Sequence, residues 1–262
     1  MSITAGVDIG STATKALILK NGKIAGFCVR PTGANPNNSA MMALNKALER
    51  SGVDMKNIEF TVSTGYGRRI FTKSDENINE INANARASIW LGSQMGMVKT
   101  IIDIGGQDSK VISLDRDGIV KDFIMNDKCA AGTGKFLEVI AQILEMDIKD
   151  LGEVSLESNK PIKIASTCVV FAQSEVISLI AQNKRKEDIV AGINHAIASR
   201  IINMGKKVGI KEVVFFDGGP AKNIGIRTAL EKELGFNVYV PKNPQIVNAL
   251  GAALIASDLA GG

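Results

Sequence analysis

Apolar residues in this chain are grouped in two ways: short β-branched runs that end at turn residues, and longer stretches with an apolar position every three or four residues. The run Val7-Asp8-Ile9-Gly10-Ser11-Thr12-Ala13-Thr14-Lys15-Ala16-Leu17-Ile18-Leu19 aligns without a gap with Ile102-Asp103-Ile104-Gly105-Gly106-Gln107-Asp108-Ser109-Lys110-Val111-Ile112-Ser113-Leu114. Asp, Ile, Gly, Lys and Leu coincide. Each copy reads as an apolar strand, a turn carrying Asp and Gly, and a second β-branched strand. Each then runs to a hairpin signal, Asn21-Gly22 or Asp117-Gly118. One device occurs twice, which predicts two lobes.

Helical periodicity covers residues 40–51, stopped by Gly52, then 79–93, 134–145, 172–182 and 187–208. A third apolar strand over 213–216 runs into Asp217-Gly218-Gly219-Pro220. A helix over 221–234 stops at Gly235, and a strand over 237–240 and a helix over 245–259 complete the pattern. The class is α/β, with lobe I expected over 1–96 plus 244–262 and lobe II over 97–243. Low-complexity sequence is lacking between them, so a hinge rather than a tether is expected.

Composition narrows the function classes. The chain's 262 residues, 45% hydrophobic and 22% charged, are ordinary globular material. A formal charge of +4 without long basic runs does not call for nucleic acid. Residues 1–10 lack a basic segment before an apolar one, and no stretch reaches the roughly 18 apolar residues of a membrane helix. A cytoplasmic protein without membrane contact is expected. Three cysteines, Cys28, Cys129 and Cys168, are too few for a disulfide framework and read as buried thiols or ligands.

In Asp8-Ile9-Gly10-Ser11-Thr12, glycine lets the backbone approach a phosphate while amides and hydroxyls donate to it. A carboxylate repels phosphate, so the task expected of Asp8, and of Asp103 in the second copy, is to hold Mg2+ through water. One such turn could equally be a plain structural hairpin; two, with Asp217-Gly218-Gly219 downstream, favour a nucleotide. These three segments resemble the phosphate-1, phosphate-2 and adenosine motifs of the superfamily of actin, sugar kinases and heat-shock-chaperone ATPases.

That resemblance implies a duplicated, two-lobed, actin-like (ribonuclease H-like) fold with ATP or ADP in a cleft between the lobes. Gly10, Ser11, Thr12 and Lys15 in one copy, and Gly105, Gly106 and Gln107 in the other, would serve the phosphates. Gly218, Gly219, Ala221 and Asn223 would lie near the adenosine. An amide at Gln107 could orient the attacking water, which makes Gln107, Asp8 and Asp103 the candidate catalytic residues. Ala131-Gly132-Thr133-Gly134-Lys135 imitates the tail of a Walker A loop, but Cys129 stands at the required first glycine and Phe136 replaces Ser/Thr.

Cys129 lies in a glycine-bearing turn that leads into one predicted helix, and Cys168 directly precedes another. Unpaired amides at a helix N-terminus favour a thiolate or an anionic cluster. On residues alone, two packing cysteines are the simpler reading. A cubane cluster ordinarily needs four cysteines, and one chain cannot plausibly supply them. A two-fold dimer could, taking Cys129 and Cys168 from each protomer and leaving Cys28 unused.

The runs Asn126-Asp127-Lys128-Cys129-Ala130-Ala131-Gly132-Thr133-Gly134 and Cys168-Val169-Val170-Phe171-Ala172-Gln173-Ser174-Glu175 resemble signatures of 2-hydroxyacyl-CoA dehydratase activators. Thr64-Gly65-Tyr66-Gly67-Arg68 and residues 103–111 resemble the same family and the related ATPase subunits of benzoyl-CoA reductase. The resemblance implies a homodimeric ATPase with a single 4Fe-4S cluster bridging the protomers through Cys129 and Cys168. It implies reduction by a ferredoxin or flavodoxin, and one-electron activation of a 2-hydroxyacyl-CoA dehydratase or a benzoyl-CoA reductase-like partner. Lobe closure on ATP would turn the cysteine-bearing helices.

Gln173, where the family usually has glutamate, Asn82-Ala83-Asn84-Ala85, replacing a Ser-Cys-His-Ala-like stretch, and the acidic Asp217 depart from the pattern. A sugar or acetate-type kinase with Asp108 as base, and a nucleotide-dependent scaffold in which both cysteines only pack, are the competing readings. His195, the single histidine, reads as a packing or surface residue.

Overall fold

A computed structural model describes residues 2–94, 96–165 and 168–261. In chain order its elements are β1 (Ile3–Ile9), β2 (Ala13–Lys20), β3 (Lys23–Pro31), α1 (Pro36–Ser51), β4 (Phe60–Thr64), β5 (Glu76–Asn77) and α2 (Glu80–Gly92). Then follow β6 (Thr100–Ile104), β7 (Ser109–Leu114), β8 (Val120–Asn126), α3 (Gly134–Ile143), α4 (Leu151–Leu156), α5 (Val169–Ala181) and α6 (Lys186–Gly205). The chain continues through β9 (Val214–Gly218), α7 (Ile224–Leu234), β10 (Val238–Tyr239) and α8 (Val247–Ala260). These residues divide into two units: Met1–Val98 with Arg116–Val120 and Gln245–Gly262, and Lys99–Asp115 with Lys121–Pro244.

The first unit is built on a five-stranded sheet ordered β3-β2-β1-β4-β5, with β1 antiparallel to β2 and parallel to β4. Asn21 and Gly22 both take positive φ, 51° and 71°, as the two-residue turn joining β2 to β3 requires. Helix α1 begins at Pro36 instead of residue 40, because Asn35 accepts a hydrogen bond from Asn38 N and Pro36 fits the first turn. Asn79 caps α2 in the same way.

Helix α8 is rich in alanine, apolar on every side and largely buried. A Cβ on Gly6 would lie 2.0 Å from Ala249 O, and one on Gly251 would lie 1.7 Å from Ala83 O. Glycine at these two positions is what lets α8 lie directly on β1 and α2.

The second unit repeats the plan, with a sheet ordered β10-β9-β6-β7-β8, β6 antiparallel to β7 and parallel to β9. Its core joins Ile102, Ile104 and Phe216 of the sheet to Phe136, Leu137 and Ile140 of α3 and Ile193 and Ile197 of α6. The repeat holds to the residue, since Asp8 pairs with Lys15 across β1 and β2 and Asp103 pairs with Lys110 across β6 and β7.

It also extends to a third strand that the sequence alignment does not reveal. Thr64 lies beside Asp8, and Asp217 beside Asp103, on the parallel neighbours β4 and β9. The single helix expected over 221–234 divides into a 3-10 turn, Gly219–Lys222, and α7. The cause is Asn223, whose Oδ1 accepts from Gly225 N and Ile226 N and starts a new helix. Among the described residues no helix is long and apolar enough to cross a membrane.

Candidate functional site

Asp8 ends β1, and its neighbour across β2 is Lys15, whose Nζ donates to Asp8 Oδ2 at 2.8 Å. The turn between them closes on itself through Gly10 N to Ala13 O at 3.1 Å. Two hydroxyls meet no hydrogen-bond partner among the described residues although both are buried: Thr12 Oγ1 on this turn and Thr64 Oγ1 beside Asp8. An unsatisfied buried hydroxyl is costly unless something else accepts from it. Gly65 follows Thr64 with φ of 86°, and a Cβ there would lie 2.4 Å from Asp8 Oδ1. The backbone thus presses against the carboxylate and fixes it. Ser11, at the tip of the turn, is exposed.

The second unit builds the same turn with different charge. Gly105 N donates to Asp108 O at 2.9 Å, the counterpart of the Gly10 bond. Gly134 N and Lys135 N at the start of α3 donate to Gly105 O and Gly106 O at 2.9 and 2.8 Å, so the turn is tied to a helix N-terminus. Lys110 Nζ lies 2.5 Å from Asp108 Oδ2 and 3.5 Å from Asp103 Oδ2, with both Lys110 and Asp103 buried.

Asp217 adds a further buried carboxylate in register with Asp103. Gly218, with φ of 88°, would place a Cβ 2.9 Å from Asp103 Oδ1. Lys15 pairs with Asp8 in the first unit and Lys110 with Asp103 and Asp108 in the second, where Asp217 adds a carboxyl on the strand beside Asp103. Gln107 is exposed at the tip of this turn. Asp108, the base of the kinase reading, is engaged by Lys110.

At the adenosine-like segment, Gly219 and Ala221 lie in the 3-10 turn. Asn223 is committed structurally: its Oδ1 caps α7, and its Nδ2 donates to Asn194 Oδ1 at 3.3 Å.

Both Cys129 and Cys168 belong to the second unit, are in no disulfide and are partly exposed, whereas Cys28 is buried in the first unit's core. Cys168 is the N-cap residue of α5, with extended backbone and no side-chain hydrogen bond to the helix's first amides. Cys129 sits in the turn before α3, where Asn126 Nδ2 holds its carbonyl at 2.8 Å. Arg200 Nη1 of α6 donates to the Cys129 Sγ at 3.5 Å.

Next to Cys168, α5 exposes Val170 and Phe171 at 63% and 69% and, two turns on, Ile177 at 56%. Among the described residues no three His, Cys, Asp or Glu side chains gather into one metal-binding group. The chain therefore offers two partly exposed sulfurs rather than a closed set of ligands.

Lys110 was legible as the repeat of Lys15, and Thr64 as the first residue of the 64–68 run. Arg200 lies 71 residues from Cys129 in the chain and carries no local signal. His195 is held below the ordinary histidine range, first by burial and then by the positive charge of Lys232, with Glu233 opposing.

A family model described as the BadF/BadG/BcrA/BcrD ATPase family matches residues 5–256. The 2-hydroxyisocaproyl-CoA dehydratase activator of Clostridioides difficile is 43% identical over 255 residues, covering 97% of this chain and 95% of that protein. The (R)-2-hydroxyglutaryl-CoA dehydratase activating ATPase of Acidaminococcus fermentans is 43% identical over 259 residues, 98% of each chain. The solved structure of the activator of 2-hydroxyisocaproyl-CoA dehydratase from Clostridium difficile, with bound ADPNP, superposes with a TM-score of 0.94, covering 99% of this chain and 96% of that one. More distant structures, at 13% to 14% identity and a TM-score of 0.61, share the fold alone, which is the two-lobed actin-like ATPase fold.

Proposed function

We propose, since this chain belongs to the BadF/BadG/BcrA/BcrD ATPase family, that it hydrolyses ATP to activate a 2-hydroxyacyl-CoA dehydratase. In this reading it works in the cytoplasm as a homodimer whose protomers share one 4Fe-4S cluster, and it receives electrons from a ferredoxin or flavodoxin. The observation that carries the reading is the pair of partly exposed cysteines outside any disulfide, Cys129 and Cys168, in one unit at the approaches to α3 and α5. One sulfur at the N-cap of α5 and one in the turn before α3 suit an anionic thiolate-ligated group, and a two-fold axis would complete the four ligands. The apolar residues exposed beside Cys168 suit burial against the second copy. A bound 4Fe-4S cluster would supply a one-electron carrier at that place.

The chain's own residues supply the nucleotide chemistry. Lys15, Thr12 and the turn at Gly10 and Ser11 would serve phosphate oxygens in the first unit, and Gly105 and Gly106 would do so in the second, where Gly105 N and both glycine carbonyls are bonded within the protein. Asp8 in the first unit and Asp103 in the second, each at the end of its first strand, are the carboxylates that would hold a hydrated Mg2+. Gln107 orients the attacking water. Gly218, Gly219 and Ala221 form the adenosine side, with Asn223 shaping it as a cap. The departures at Gln173 and 82–85 bear on which dehydratase is served.

The test is purification without oxygen. Brown protein with about four irons per dimer, and loss of the iron in Cys129→Ser, are expected. Colourless, iron-free protein that still binds nucleotide would reduce the chain to an ATPase without electron transfer.

A further inference from the structure

The hydrogen bond to Cys129 comes from an element that takes no part in either phosphate turn. Arg200 lies on α6, a helix buried along much of its length among the core residues of the second unit. Its Nη1 reaches Cys129 Sγ at 3.5 Å. The turn carrying the sulfur is shaped around this side chain: Gly132 takes a φ of 92°, and a Cβ there would stand 3.0 Å from Arg200 Cδ. Asn126 and Thr133 fix the same turn through Cys129 O and Ala130 O at 2.8 and 2.7 Å.

The helix is also anchored at Asn194, buried, where its Oδ1 accepts from Asn223 Nδ2. The interval from Asn194 to Arg200 is about 9 Å of helix rise. A rigid rod thus connects the adenosine-like segment to the guanidinium that touches the sulfur.

We infer that Arg200 is a positioning residue for Cys129 that sets the reduction equilibrium of the group this sulfur ligates. The inference rests on the reading of Cys129 as a cluster ligand. A guanidinium is always charged and is a directional donor. Charge and hydrogen bonds at a ligand sulfur tune the potential of an iron-sulfur group, and a cation favours the reduced, more negative state. Arg200 therefore raises the potential, and its loss lowers it.

Arg200→Gln and Arg200→Lys are compared with wild type, all purified without oxygen, by iron analysis and by redox titration followed by electron paramagnetic resonance. Arg200→Gln is expected to retain iron and to shift the reduction equilibrium about tenfold toward oxidation, equivalent to about −59 mV for one electron. Arg200→Lys, which keeps the charge and loses the planar donor, should fall between the two.

Unchanged potentials in both iron-loaded variants would overturn the role of Arg200 while leaving the cluster reading standing. Iron-free wild type would overturn the cluster reading and this inference with it. If Arg200→Gln loses its iron, the lysine variant decides: an intermediate potential upholds the inference, and the wild-type value refutes it.

Discussion

Replacing Lys110 by methionine tests whether the second turn depends on its buried cation. The ammonium is 2.5 Å from Asp108 Oδ2 and 3.5 Å from Asp103 Oδ2, and Asp217 stands next to Asp103 in the sheet. At an effective dielectric of about 20 these two contacts represent about 7 and about 5 kcal/mol of gross attraction. Most of that offsets the cost of taking the charges out of water. The substitution takes this counter-charge from Asp103 and Asp108, and removing one partner of a buried ion pair costs about 3–5 kcal/mol.

Methionine follows much of the lysine stem, so little of the loss comes from packing. Asp108 keeps 22% of its side chain exposed, which lets water relieve part of the penalty and places the expectation at the lower end, about 3 kcal/mol. Urea denaturation of wild type and Lys110→Met, followed by far-UV circular dichroism, measures it. Lys110→Met combined with Asp108→Asn should recover part of the loss. A single variant within about 1 kcal/mol of wild type would show that this turn does not need its cation, and the charge argument would fail.

Three further outcomes are expected. Gly218→Ala and Gly65→Ala force a Cβ to 2.0 Å from Ile104 O and 2.4 Å from Asp8 Oδ1 at positive φ, so each should cost about 3 kcal/mol or more in thermal melts. Gly235→Ala, also at positive φ but with nothing within 4 Å, should cost only about 1 kcal/mol, and equal losses at all three would contradict the steric account. Gln107→Ala should slow phosphate release about 100-fold with nucleotide affinity nearly unchanged, and unaltered turnover would remove Gln107 from the mechanism. His195 binds fewer protons folded than unfolded, so its contribution to stability is present above about pH 6.5 and is lost as pH falls below that value. The single imidazole should titrate by NMR below the ordinary histidine range, and in Lys232→Ala its midpoint should move up.

The sequence made the repeated turns legible because each is local: strand, turn residues and strand lie within a dozen positions, and Asn-Gly admits few conformations. Helix α2 was legible to within a residue at each end because Asn79 is a strong cap. By contrast, β4 and β5 were not, since Phe60–Thr64 is short and Glu76–Asn77 is polar, and their place is set by pairing with distant strands. The break before α7 was hidden by continuous helical periodicity; only the cap hydrogen bonds of Asn223 reveal it. Arg200 was invisible for the same reason as β4, because nothing near it in the chain records what it touches.

The third correspondence, Thr64-Gly65 with Asp217-Gly218, places the one acidic departure in the adenosine-like motif at the backbone position that Thr64 holds in the first unit. Both glycines take the same positive φ, 86° and 88°, and both press on the carboxylate of the neighbouring strand. Given that shared backbone, the residue before each glycine is free to set local charge. A hydroxyl at Thr64 leaves the first turn neutral, with Lys15 matched to Asp8 and two buried hydroxyls available as donors, which suits an anion. Asp217 places a buried carboxyl at the same point of the second unit, on the strand beside Asp103. The repeat thus keeps the backbone at both glycines while the side chain before each differs, a hydroxyl in one unit and a carboxyl in the other.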